Sequence, residues 1–303
     1  MKEAIRLLQS FWKNDAEKFS AKDALSMCSF YKETTRRNAS LFNKCIRNNI
    51  VLFDQFVSWY TRVATVLCYS GTGEQIKSRA AYASLCSAIV SLMISIRHQV
   101  TLGHDLAAKI LLRSLCEYVE TLSLLLVEPG LVAEFQKEEF SDANLFWHRN
   151  VKSLKARKAV IRAAVGDSLD EKFLTEWLEW LREEDTILSL AAHPSFVAAS
   201  MTRFLINSDD NPDGPLEWPP FLGYVSDFSV RTLRYAILTA STPVIIADFP
   251  FGKRGKLTGQ MKFDERESMH VAIEKERIVL LSVIRFVIEE ASENPAFTAS
   301  LGR

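Results

Sequence analysis

AYASLCSAIVSLMISIRHQVTLGHDLAAKILLRSLCEYVETLSLLLV, residues 81–127, decides the fold class of this chain. Its apolar residues recur at helical rather than alternating spacing. Two uncharged arms, Ala81–Ile96 and Thr121–Val127, flank a middle that includes Arg97, His98, His104, Arg113, Glu117 and Glu120. A charge inside a long apolar helix needs a partner or water, because an unpaired buried charge is very costly. A site is therefore expected in the middle of this stretch.

Outward from it, helical periodicity dominates and convincing alternating strands are absent. Helices are expected near 3–13, 22–33, 39–69, 74–102, 104–127, 130–150, 151–164, 170–192, 195–206, 221–247 and 265–293. Gly71 and Gly73 punctuate one boundary, and Glu128-Pro129-Gly130 stops another. Asp167, Ser168 and Asp170 offer caps before LDEKFLTEWLEWLREED. Long loops at 207–220 and 248–263 interrupt the pattern. The expected architecture is a single all-α domain over 1–303. Within it, an antiparallel bundle of long helices (39–127 and 221–293) carries a helical insertion at 130–206.

At 303 residues and 48% hydrophobic, the chain can bury a large core. Lys plus Arg equals Asp plus Glu at 37 each, so only local patches could attract nucleic acid or a membrane. Cys28, Cys45, Cys68, Cys86 and Cys116 form no C-x-x-C pair and read as reduced core thiols. The start, MKEAIRLLQSFWKND, lacks the apolar region of a signal peptide. Ala81–Ile96 carries four serines and falls short of the roughly 20 apolar residues that span a bilayer. A cytoplasmic protein with no membrane partner is expected, and the sequon Asn38-Ala39-Ser40 then has no meaning.

On a helical wheel, Lys109, Arg113, Glu117 and Glu120 share an arc about 80° wide. Two readings compete: a solvated stripe of weak i,i+4 ion pairs, or a cleft face where the Arg113 fork holds a carboxylate or phosphate. A second stripe, Asp185, Ser189 and His193, recurs at i, i+4 and i+8. Pro194 disfavours helix at His193, which places that imidazole at a helix C-terminus. The Asp-Ser-His set suggests a nucleophile and base, but nothing fixes an oxyanion hole, so a hydrolase triad is not favoured. If the stripes meet, Arg113, Glu117, Ser189 and His193 form one polar cluster.

Two resemblances follow from these residues. Gly103, Arg113-Ser114-Leu115-x-Glu117 and Leu188-Ser189-x-x-x-His193-Pro194 resemble a family of uncharacterised bacterial all-helical proteins with R-S-L-x-E and L-S-x-x-x-H motifs. The likeness covers about residues 90–200. It implies that Arg113, Glu117, Ser189 and His193 belong to one site, and it supplies no activity. Arg97-His98-Gln-Val-Thr-Leu-Gly-His104 is similar to the short motif of HEPN ribonucleases. That likeness implies metal-independent RNA cleavage, with His104 moving a proton, Arg97 stabilising the phosphorane charge, and a homodimer building the site. Gly103 is the departure, because it threatens the continuous helix on which Arg97 and His104 would share a face.

Other signals carry less. Asp209-x-Asn211-x-Asp213-Gly214 opens like a calcium loop, but Pro220 stands where a bidentate Glu belongs. Gly252-Lys253-Arg254-Gly255-Lys256 lacks Walker A spacing. The basic run Arg149–Arg162 follows the acidic stretch 134–142, and mutual neutralisation accounts for it more simply than RNA contact. Trp177 and Trp180 read as an apolar anchor. His148 and His270 have no Cys or second His at ligand spacing, so neither a metal nor another cofactor is expected. The sequence leads to a helical protein whose polar pocket takes a small anionic or nucleotide-like ligand. A HEPN-like ribonuclease and a non-catalytic scaffold are the alternatives.

Overall fold

The computed structural model describes residues 47–69, 73–137, 144–165, 171–194, 225, 227–246 and 268–293, with a few positions between 32 and 40. The helices expected at 3–13 and 195–206, all of 22–33 but its last two residues, and the loops 207–220 and 248–263 with their calcium-like and basic motifs, lie outside the described residues. Every regular element among the described residues is helical, so the chain is all-α.

The long helices are α1 (Arg47–Tyr69), α2 (Gly73–Thr101) and α3 (Asp105–Val127). After the short α4 (Val132–Phe135) come α5 (Lys155–Val165), α6 (Glu171–Ala192), α7 (Asp227–Ile246) and α8 (Ser268–Glu293). Helix α2 packs against both α1 and α3, α7 packs on α3 and α1, and α8 closes on α1 and α7. Helices α5 and α6, from the middle of the chain, pack on α3.

Spacing explains these pairings. Cys86, Ile89, Met93, Ile96 and Val100 alternate steps of three and four, and all five are fully buried. Ala108, Leu112, Leu115, Val119 and Leu122 do the same on α3, so two continuous seams mesh. Buried polar atoms lock neighbours together. The Tyr60 hydroxyl donates to the Ala240 carbonyl at 2.8 Å, and Tyr82 donates to the Leu125 carbonyl at 3.0 Å. By length and composition alone, Arg79–Thr101 of α2 is long and apolar enough to cross a membrane, and half of its most apolar window is buried in the protein.

The break between α2 and α3 has a defined geometry. Gly103 sits at φ 74°, the His104 N–H donates to the Gln99 carbonyl at 2.9 Å, and the Gly103 N–H donates to the Val100 carbonyl at 3.0 Å. This is a Schellman stop, in which glycine takes the left-handed position that a side chain would strain. At its other end α3 stops at Glu128, because Pro129 disfavours helical backbone before it.

One expected helix is absent as such. In place of 130–150 stand a 3-10 turn at Pro129–Leu131, the four-residue α4, and a π-helical turn at Trp147–Val151. The next helix starts at Lys155 rather than 151. Asn144, Ser153 and Leu154 hold positive φ values of 95°, 63° and 62°, which no helix tolerates.

Candidate functional site

Spacing places the first wall. Arg113, Cys116, Glu117 and Glu120 lie at i, i+3, i+4 and i+7 on α3, so they project from one face. Arg182, Asp185 and Ser189 repeat that spacing on α6, with His193 just past the helix end. The two stripes face each other across a cleft of about 470 Å³. The turn at 147–154 and Arg157 of α5 complete it.

The rim is polar and wet. The Arg113 side chain is one-third exposed, donates from Nη1 to Ser189 Oγ at 3.0 Å, and has its Nε 3.6 Å from a Glu117 carboxylate oxygen. His193 and Arg182 are exposed beside it. The four residues singled out in the sequence, Arg113, Glu117, Ser189 and His193, therefore all line one cleft.

Its floor is drier. Val151, Leu154 and Cys116 are buried there, and burial pushes the Cys116 thiol up to about 12, so it is no nucleophile near neutral pH. Arg157, only a tenth exposed, donates from Nε to Glu120 Oε1 and from Nη2 to Asp185 Oδ1 at 2.9 Å, and Nη2 is also ion-paired with Glu120 Oε1. One guanidinium thereby ties α3, α5 and α6 together. Burial pushes Glu120 up to about 7 despite Arg157, with Asp185 and Glu117 adding repulsion. Burial also raises Asp185 and Glu117, against the pull of Arg157 on the first and Arg113 on the second. For Arg157, burial works against its charge, but Glu120, Tyr235 and Asp185 outweigh it and the guanidinium stays protonated.

The backbone of the 147–154 wall is strained. A π-helical turn and two consecutive non-glycine residues in the left-handed region, Ser153 and Leu154, border the cleft. Such conformations cost on the order of 1–3 kcal/mol each and gather at binding sites.

Lys109, expected on the same arc as Arg113, turns elsewhere. It is buried against α7, donating to Thr232 Oγ1 at 3.2 Å, with its ammonium 5.2 Å from the Phe228 ring centre. Burial holds its pKa below the ordinary lysine value. Arg97 and His104 stand apart from the cleft lining. The continuous helix that would put them on one face does not exist, because Gly103 ends α2. Both Arg97 Nε and Nη2 donate to the Asp54 carboxylate, at 2.6 and 2.9 Å. His104 Nδ1 lies 3.1 Å from the Gln99 side-chain oxygen, and burial, with His98 next, holds its pKa below the usual value.

Arg157, like Arg182 on the rim, is a site residue that sequence reasoning missed. It sits in a basic run; among the described residues, Arg149 of that run lies 3.8 Å from Glu134 of the acidic stretch. A usable signal existed: Arg157 lies beside the buried Ala156 and Val160 on α5, whereas Lys155, Lys158 and Arg162 are exposed. Among the described residues, no group of three or more His, Cys, Asp or Glu side chains is placed to hold a metal ion. No family model, curated protein or solved structure matches the chain.

Proposed function

We propose that the cleft between α3 and α6 binds a small anionic ligand, nucleotide-like compounds included. The observation that supports this reading most strongly is the convergence of Arg113, Arg182 and His193 on the exposed rim of one cleft. Arg113 has Nη1 on Ser189 and Nε 3.6 Å from Glu117, which leaves Nη2 to meet an oxyanion. The size suits a small molecule, since ligand pockets run from about 300 to 1,000 Å³. The short-motif resemblance supports the same grouping of Arg113, Glu117, Ser189 and His193. With Arg97 held by Asp54, no observation favours the ribonuclease alternative.

Thermal unfolding in the presence of inorganic phosphate, nucleoside monophosphates and small organic acids tests the proposal. A ligand that binds only the native state raises the midpoint. At least one anion is expected to raise it, and Arg113→Leu is expected to abolish the rise while the variant stays folded. If no anion moves the wild-type midpoint, the cleft does not serve this purpose.

A further inference from the structure

Arg113 meets the cleft with a guanidinium whose edges are already shared. Nη1 donates to Ser189 Oγ at 3.0 Å, Nε lies 3.6 Å from Glu117 Oε1, and Nη2 makes no hydrogen bond among the described residues. An arginine grips an oxyanion best through two parallel N–H bonds, from Nε with Nη2 or from Nη1 with Nη2. A serine hydroxyl therefore stands on one of these edges and a carboxylate of the protein itself on the other. Glu117 is able to leave: its side chain is 39% exposed, and an i,i+4 pair at that exposure is weak.

We infer that Glu117 is a built-in competitor for the anion: it holds the Nε edge of Arg113, a ligand that takes that edge displaces it, and anion binding therefore strengthens as pH falls. The inference rests on the anion-binding reading of the cleft and names what controls its affinity. The displaced carboxylate is left where a charge is poorly supported. Cys116 and Glu120 stand beside it on its own helix, and Asp185, Arg182 and His193 face it from α6. Arg157 of α5 is engaged by Glu120 and Asp185, and Lys152 lies on the exposed turn. Helices α2 and α7, packed on other sides of α3, contribute no residue to the lining among the described residues. Burial raises the Glu117 pKa against the pull of Arg113, and Asp185 adds repulsion. A bound anion brings one more negative charge and takes Arg113 away, so Glu117 keeps its proton to a higher pH in the complex than in the free protein. The complex thus holds more protons, and by linkage the anion binds more tightly at lower pH.

Isothermal titration with sulfate tests this, because sulfate keeps one charge state across the range whereas phosphate does not. Wild-type protein is expected to bind sulfate about tenfold more tightly at pH 5 than at pH 8. Proton uptake on binding should appear as a difference in heat between two buffers of unlike ionisation enthalpy. Glu117→Gln keeps the side chain's length and loses its charge. It is expected to bind sulfate about fivefold more tightly than wild type at pH 8 and to flatten the pH profile. His193→Gln removes the imidazole at the cleft and is expected to retain most of the wild-type pH dependence. A wild-type affinity that does not change with pH overturns the competitor and leaves the anion reading standing. So does Glu117→Gln binding no more tightly than wild type at pH 8, or a profile flattened by His193→Gln and not by Glu117→Gln. If sulfate binds at neither pH, the two readings fall together.

Discussion

Arg157→Met is expected to destabilise the protein by about 3–5 kcal/mol at pH 8, the cost of leaving a buried charge without its partner. The side chain that replaces the guanidinium fills comparable space, so the loss is electrostatic. Glu120 is 14% exposed, and it loses the bond donated by Arg157 Nε and the ion pair with Nη2, while Asp185 loses its bond at 2.9 Å. At pH 5 the same substitution should cost roughly half as much, because a protonated Glu120 no longer strands a charge. Urea unfolding of wild type and variant at the two pH values reads this directly. A cost below about 1 kcal/mol at pH 8 is what an exposed surface pair would give, and would contradict the buried network.

The second large effect belongs to wild-type protein as pH rises. Folding moves the Glu120 pKa from 4.5 to about 7. Between those values the folded protein holds a proton that the unfolded chain has released. The unfolded state thus binds fewer protons, and stability falls with increasing pH across that window. Glu117 and Asp185 are shifted in the same direction and steepen the fall. Glu120→Gln removes the titrating group. Relative to that variant, wild type is expected to lose about 2 kcal/mol between pH 5 and pH 8. Parallel pH profiles for the two proteins would show that Glu120 titrates as an ordinary carboxyl. Comparing the two proteins cancels the contribution of every group that the substitution leaves in place.

Legibility in the sequence followed the physics of each element. Helices α2 and α3 were readable because long apolar seams at helical spacing leave no other solution, and Pro129 and Gly103 mark where they stop. The stretch 130–150 reads as helix because apolar residues recur along it, yet Asn144 takes a positive φ that breaks any single helix there. There the backbone took turns and left-handed positions that residue type does not announce. On the cleft side, the stripes of α3 and α6 were each visible as i,i+4 patterns. That they face each other is a tertiary fact that the order of residues does not contain. Lys109 shows the limit of a wheel: it falls within the same arc as Arg113, yet α7 covers that end of the helix and takes the ammonium away. Arg157 shows the opposite limit, because in a run of six basic residues the buried one differs only in its phase.

The most direct measurement of the central claim is nuclear magnetic resonance of the arginine side-chain Nε–H groups during titration with inorganic phosphate. Arg113 lines the cleft, while Arg97 lies outside its lining and is bound to Asp54 through Nε and Nη2. The account predicts a saturable shift of the Arg113 signal with the Arg97 signal unmoved. An Arg113 signal that stays in place, or one that drifts in step with Arg97 and with every exposed arginine, would contradict it.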